Sequence, residues 1–222
     1  MSAESKRERA RLYLITPPQI DDVGAFVDLF KAAIAGGDIA ALQVRIKQDG
    51  IVDTASTRKV AQAVQSLCQV NQIALIINDS PQLCRALNAD GVHLGMEDMD
   101  ISQAREIVGE DAIIGATCKN SRHHAMVAGE SGADYVAFGA FYPTDTKADT
   151  TPAEPDVLTW SQMFLTLPCV AIGGITTDTA RSLVLAGADF LAVSSGVWDH
   201  PDGPASAVDM FNRAIDQAMA ES

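Results

Sequence analysis

Two aspartates each follow a short apolar run: ALIIND ends at Asp79 and GVHLGMED ends at Asp98. Hard carboxylate oxygens at neighbouring strand ends suit Mg²⁺, which takes one or two carboxylates and completes its shell with water and substrate phosphate oxygens. Arg45 and Lys47 in QVRIK, with Lys147 in PTDTK, are cations able to neutralise a diphosphate. Gly174 in AIGGI and the pair Ser194-Ser195 match a phosphate site built after the last two strands of a barrel, where free backbone N–H groups meet a helix start. A phosphate site beside a metal-diphosphate site points to a reaction of two phosphorylated small molecules with pyrophosphate as leaving group. The formal net charge of -13 makes the clustered Lys and Arg more telling, because an anion must be bound against an unfavourable mean field.

Taken singly, each of these residues has an ordinary reading. Asp79 and Asp98 could cap the helices that follow them. Thr144 and Thr146 could be turn residues, Arg45 and Lys47 could lie on a solvated face, and a Gly-Gly pair alone says little. His93 reads as a hydrogen-bonded core histidine, and His123, His124 and His200 as surface residues. The functional reading rests on all the candidates falling at equivalent strand ends, where barrel enzymes carry their chemistry.

The elements that would position them recur along the whole chain. Eight apolar, β-rich runs are LYLIT, ALQVRI, ALIIND, GVHLG, IIGATC, YVAFGA, CVAIGG and FLAVSS. Most lack polar alternation, as expected of parallel strands covered on both faces. Helical patterns separate them. Asp21 or Asp22 can cap the first, Thr54 the second, and Ser80-Pro81 reads as an N-cap followed by Pro at the first helical position. Later helices are expected near Ile101, Arg122, Pro155, Asp178 and Ala205. Eight strand-helix units predict an α/β fold, a (β/α)₈ TIM barrel in a single domain over 1–222, with 1–10 a flexible N-terminal segment. The doubly wound open sheet is the structural alternative, but no glycine-rich loop follows the first strand. Alternation puts Gln43, Arg45 and Lys47 on one face of the second strand. Asn78 then ends the third strand and Thr117 the fifth.

Composition narrows the function classes. The acidic balance argues against nucleic acid or an anionic membrane as partner. No apolar run reaches the roughly 20 residues of a membrane span, and MSAESKRERA lacks the apolar stretch of a secretory signal, so a cytoplasmic location is expected. Cys68, Cys84, Cys118 and Cys169 have no metal-ligand spacing and read as buried free thiols. A homo-oligomer is left open.

At these motifs the chain resembles the thiamine phosphate synthase family. QVRIK matches its Gln-x-Arg-x-Lys, IIND its Asn-Asp, DGVHLGMED its Asp-Gly-Val-His-x-Gly-x-Glu-Asp, PTDTK its Pro-Thr-x-Thr-Lys, and AIGGI its Ala-Ile-Gly-Gly-Ile. The match runs in order from about Leu12 to Val197. The resemblance implies joining of an aminopyrimidine diphosphate to a thiazole phosphate, giving thiamine phosphate and pyrophosphate. It implies that pyrophosphate departs first and that the thiazole nitrogen captures the pyrimidine-methyl cation left behind. Carried over by motif, Gln43, Arg45, Lys47, Asn78, Thr117 and Lys147 would hold the pyrimidine diphosphate, with Arg45, Lys47 and Lys147 acting on the leaving group. Asp79 and Asp98 would hold Mg²⁺. Thr144, Thr146, Gly174, Ser194 and Ser195 would hold the thiazole phosphate.

Four positions depart from the family pattern: Ile46 for Glu, Ser80 for Arg, Met96 for Gln and Lys119 for His. Loss of the Arg removes a cation near the diphosphate, which Lys119 could replace. A thiazole tautomerase relative and a non-catalytic thiazole-phosphate or thiamine-phosphate binder are the rival readings. Retention of both Asp79 and Asp98, with Lys119 where the tautomerase uses a His, favours the synthase. The polar, turn-rich stretch from Phe141 to Glu154 is expected to act as a lid over bound phosphate.

Overall fold

In a computed structural model, residues 7–48, 51–143 and 152–221 are described. The chain runs β1 (Arg11–Ile15), α1 (Val23–Ala35), β2 (Ala41–Val44), β3 (Lys47–Gln48), β4 (Ile51–Val52), α2 (Thr54–Val70), β5 (Ala74–Asn78) and α3 (Pro81–Leu87). It continues through β6 (Gly91–Leu94), α4 (Ile101–Val108), β7 (Ile113–Lys119), α5 (Arg122–Glu130), β8 (Tyr135–Gly139) and α6 (Asp156–Phe164). The last elements are β9 (Cys169–Ile172), α7 (Thr177–Ala186), β10 (Phe190–Val193), α8 (Ser195–Trp198) and α9 (Gly203–Ala220). Eight strands close into a barrel in the order β1-β10-β9-β8-β7-β6-β5-β2, and every neighbouring pair is parallel. The closed barrel replaces the open-sheet alternative. No helix among the described residues is long and apolar enough to cross a membrane.

Strand alternation sorts the apolar residues into two cores. Leu12, Leu14, Leu42, Val44, Leu75, Ile77, Val136 and Phe138 point outward and pack under the helices with Phe30, Val60, Leu183 and Phe211. Tyr13, Ile15, Ala41, Ile76, Tyr135, Ala137, Val170 and Ala192 fill the inside of the barrel. Register follows from the same period of two. Gln43 pairs with Ile15 and Ile76, Asn78 with His93, His93 with Gly115, and Thr117 with Ala137. On β2, β5, β6 and β7 the inward row therefore ends in a polar side chain, Gln43, Asn78, His93 and Thr117.

Inside the barrel, Gly115 makes room for a tyrosine. A Cβ at that position would lie 1.9 Å from Cζ of Tyr135, whose ring is buried. Gly115→Ala forces the ring or a strand to move, and overpacking of this kind costs about 1–3 kcal/mol. A lower melting temperature is the expected result, and an unchanged one would show that the Tyr135 ring is free to relocate.

Helix boundaries fall within a residue or two of expectation, with informative differences. Asp22 caps α1 by accepting from the N–H groups of Gly24 and Ala25, and Ser80 caps α3 ahead of Pro81. Asp53 rather than Thr54 caps α2. The short β3–β4 ribbon after β2 and the single-turn α8 were not expected. Residues 1–6 of the N-terminal segment lie outside the described residues. Residues 7–10 are tied down instead: the Arg7 guanidinium donates to the carbonyls of Val184 (2.7 Å) and Ala188, and Arg9 pairs with Asp216 (2.7 Å) and Asp38 (3.3 Å). The flexible reading does not extend to them. All four cysteines are buried free thiols, and burial raises the pKa of each.

Candidate active site

A cavity opens at the C-terminal mouth of the barrel. It is lined by Gln43, Arg45, Lys47, Asn78, Asp79, Asp98, Thr117, Gly174, Ser194 and Ser195, together with Thr16, His93, Lys119 and Gly173. Every candidate that falls within the described residues thus faces one space. Thr144, Thr146 and Lys147, and most of the expected lid from Phe141 to Glu154, lie outside the described residues.

The floor is polar but uncharged. Gln43 and Asn78 are buried, and Gln43 Nε2 donates to Asn78 Oδ1 at 2.7 Å. That bond fixes the orientation of the Asn78 amide, whose Nδ2 is buried without a partner among the described residues. A buried donor left unmet is costly, so a ligand acceptor at this position would remove a penalty. His93 is the buried, hydrogen-bonded histidine expected, and it also lines the cavity. Its Nε2 lies 2.9 Å from Thr117 Oγ1 and its Nδ1 2.8 Å from the Tyr135 hydroxyl.

The acidic pair sits above this floor. Asp79 leaves β5 in the left-handed region, with φ 58, and its N–H donates to the His93 carbonyl at 2.8 Å. Asp tolerates that conformation better than most residues. Its carboxylate meets Lys47 Nζ at 2.7 Å. Asp98 Oδ2 accepts the Gly95 N–H at 2.6 Å. The two carboxyl groups also meet each other. Burial, then the hydrogen bond and charge of Asp79, push the Asp98 pKa above the usual carboxylate range. For Asp79, burial is outweighed by Lys47 and by the Asp98 proton, so its pKa lies below that range. Neither residue caps a helix: Ser80 caps α3, and Asp100 stands at the N-cap of α4. The capping readings of Asp79 and Asp98 are therefore set aside.

Cations stand beside the acidic pair. Arg45 is half-buried, and among the described residues its guanidinium has no hydrogen-bonding or ion-pair partner, while its backbone N–H donates to Thr16 Oγ1 at 2.9 Å. Burial lowers its pKa, and Asp79 only partly opposes this. Most other Arg side chains that are described are paired with carboxylates, including Arg7, Arg9, Arg11, Arg105, Arg122, Arg181 and Arg213. An unpaired guanidinium in the cavity of an acidic chain is a ready anion ligand.

The glycine pair has a steric explanation as well as a functional one. Gly173 and Gly174 adopt φ 101 and 61, and a Cβ on Gly174 would lie 2.3 Å from the Pro143 carbonyl oxygen. The loop after β9 thus packs its backbone against the start of the loop after β8, which no larger residue allows. Ser194 is the N-cap and Ser195 the first residue of the single-turn α8, where the N–H groups of Val197 and Trp198 both donate to the Ser194 carbonyl. Trp198 Nε1 anchors that turn by donating to the Ile15 carbonyl at 2.6 Å.

The four departures from the family pattern fall in different environments. Ile46 is buried in the outer core, Ser80 is the α3 cap, and Met96 is 42% exposed. Lys119 lines the cavity from a bulged position at the end of β7, with φ 52. Sequence reasoning missed Tyr13 and Tyr135; it read His93 as a hydrogen-bonded core histidine, which it is, but not as a residue that also lines the cavity. Their one visible signal was a polar tip on inward positions of otherwise apolar strands.

Comparison with known proteins agrees with the geometry. A family model described as thiamine monophosphate synthase matches residues 12–197. A thiamine-phosphate synthase of Hyphomonas neptunium is 59% identical over 215 residues, covering 96% of this chain and 97% of that protein. One from Rhodospirillum centenum is 55% identical over 205 residues, covering 92% and 97%. Among solved structures, a thiamine phosphate pyrophosphorylase from Pyrococcus furiosus superposes with a TM-score of 0.81 at 31% identity, covering 94% of this chain and 96% of that one. The motifs read along the strands, the barrel that gathers them and these near-full-length likenesses agree, and the chain belongs to the thiamine monophosphate synthase family.

Proposed function

We propose that this chain is a thiamine phosphate synthase, joining 4-amino-2-methyl-5-hydroxymethylpyrimidine diphosphate to 4-methyl-5-(2-hydroxyethyl)thiazole phosphate and releasing pyrophosphate. The observation that carries the reading is one cavity in which Arg45, Lys47, Asp79 and Asp98 face Gly174, Ser194 and Ser195, in a chain of net charge -13. Gln43, Arg45, Lys47, Asn78, Thr117 and Lys147 hold the pyrimidine diphosphate. Thr144, Thr146, Gly174, Ser194 and Ser195 hold the thiazole phosphate.

The donor set fits Mg²⁺. Two carboxylates meet at adjacent strand ends, and among the described residues no cluster of three or more His, Cys, Asp or Glu could enclose an ion. An ion that keeps waters and borrows phosphate oxygens suits such a pair. Asp79 and Asp98 would hold it, and when bound it would neutralise charge on the diphosphate. The chain's own contribution is preorganised charge. Arg45, Lys47 and Lys147 stabilise the departing pyrophosphate, whose charge grows as the carbon–oxygen bond breaks. Neutral Gln43, Asn78 and Thr117 orient the heterocycle without competing for the proton economy of the leaving group. The second phosphate site brings the thiazole nitrogen to the electron-poor methylene carbon, converting a two-body encounter into a positioned one. The setting is that of a biosynthetic enzyme of the cytoplasm, with phosphorylated small molecules as its partners.

Incubation with both substrates and Mg²⁺, followed by oxidation and fluorescence detection of the product, tests this. Product is expected only when both substrates and the metal are present, and excess chelator should abolish it. Binding of both ligands without turnover would replace the enzyme reading with the carrier reading.

A further inference from the structure

Below the cavity floor, four polar groups form a chain through the barrel interior. Tyr13 Oη lies 2.9 Å from Tyr135 Oη, Tyr135 Oη 2.8 Å from His93 Nδ1, and His93 Nε2 2.9 Å from Thr117 Oγ1. Tyr13, Tyr135 and His93 are buried, and Thr117 lines the cavity. Burial raises the pKa of both phenols, so each keeps one proton to donate.

Three hydrogen bonds joining four groups can run in either direction. Running outward, Tyr13 donates to Tyr135, Tyr135 donates to His93 Nδ1, and the His93 Nε2–H donates to Thr117 Oγ1. The Thr117 proton is then left for the cavity. Running inward, Thr117 donates to Nε2, the Nδ1–H donates to Tyr135, and Tyr135 donates to Tyr13. The Tyr13 proton then needs an acceptor, and among the described residues Tyr135 is its one hydrogen-bond partner. An unmet buried donor favours the outward direction by roughly five- to a hundredfold.

We propose that Tyr13, Tyr135 and His93 form a one-way relay that presents the Thr117 hydroxyl proton to the cavity, so that this subsite takes a hydrogen-bond acceptor of the ligand. The unmet Nδ2 donor of Asn78, another residue of the same cavity, points the same way. The acceptor is a pyrimidine ring nitrogen or a phosphate oxygen, and this last step rests on the synthase reading. Tyr13 and Tyr135 are positioning residues: they act on the ligand through His93 and Thr117.

The relay itself is tested without substrate. The full chain is labelled with ¹⁵N-histidine and its imidazole nitrogens are observed near neutral pH. The chain has four histidines, and His93→Gln identifies the signal. Should that variant not fold, His123→Gln, His124→Gln and His200→Gln identify it by elimination. A proton on Nε2 and none on Nδ1 is expected. Tyr13→Phe should keep that tautomer, since Tyr135 still donates to Nδ1. A proton on Nδ1, or on both nitrogens, would overturn the relay.

The acceptor is tested by calorimetry on Thr117→Val with the pyrimidine diphosphate and with inorganic pyrophosphate. A loss of roughly tenfold, the value of one hydrogen bond, is expected for the pyrimidine diphosphate. Loss with that ligand alone identifies a ring nitrogen, and equal loss with both identifies a phosphate oxygen. Unchanged affinity for both overturns the acceptor assignment. Failure of the parent protein to bind the pyrimidine diphosphate would instead sink the synthase reading, while the tautomer result judges the relay by itself.

Discussion

Asp79→Asn is expected to lower kcat by roughly a hundredfold or more while leaving the barrel folded. The carboxylate has two partners, Lys47 Nζ at 2.7 Å and the Asp98 carboxyl group. Asn retains the volume and a hydrogen-bond acceptor, and like Asp it accepts the left-handed backbone found at φ 58. Lys47 and Asp79 are only 22% and 9% exposed, so neutralising one partner costs more than at the surface. Asp98 remains beside Lys47 to compensate in part, and a loss of about 1–3 kcal/mol is expected. Catalysis loses far more. A preorganised group acting on transition-state charge is worth about 3–4 kcal/mol, and the acidic pair holds the metal on the proposed reading. The apparent requirement for Mg²⁺ should rise in the same variant, and Asp98→Asn should move both quantities in the same direction. Kinetics across a Mg²⁺ titration, beside a thermal melt, separate the effects. Full activity of Asp79→Asn in excess chelator would remove the metal assignment. A large fall in melting temperature with normal kcat would return Asp79 to a structural role.

The legible parts of this chain are those governed by local periodicity. Leu12, Leu14, Leu42 and Val44 alternate with inward residues, and that alternation carries the strand, its two faces and its register together. Caps such as Asp22 and Ser80-Pro81 were readable because their side chains act within three residues of their own position. Asp79 shows where local reading stops. Its place before a helix suits a cap, yet Ser80 takes that role, and Asp79 turns left-handed toward Lys47, which comes from a different strand connection. The β3–β4 ribbon holds Lys47 beyond the end of β2, so face alternation along one strand was the right expectation for Gln43 and only part of the reason for Lys47. Tyr13, Tyr135 and His93 were hardest to read. They lie 122 and 42 residues apart, each looks like a core residue alone, and only closure of the barrel brings their polar tips together.

Arg45→Met is expected to separate stability from activity in opposite directions. The guanidinium is half-buried and without a carboxylate of its own, and burial lowers its pKa against the weaker pull of Asp79. A partly desolvated cation with no close partner is a cost to the unliganded fold. Met keeps the apolar stem and the packing while removing that charge, so the melting temperature of the unliganded protein should stay level or rise. The same uncompensated charge is what an incoming diphosphate would meet. Guanidinium offers planar, paired donors that an ammonium does not, so Lys at this position should restore only part of the function. Loss of one such donor set costs about 3–4 kcal/mol, and kcat/KM for the pyrimidine diphosphate should fall by roughly two to three orders of magnitude. Affinity for the thiazole phosphate should change little, since Gly174, Ser194 and Ser195 lie after other strands. Adding inorganic pyrophosphate should raise the melting temperature of the parent protein more than that of the variant. A ligand at free concentration L stabilises the folded state by RT ln(1 + L/Kd), which grows as Kd falls. Thermal melts with and without pyrophosphate, beside steady-state kinetics, test the two halves together. A variant that melts lower than the parent and still turns over within about threefold of it would show that Arg45 serves the fold rather than the diphosphate.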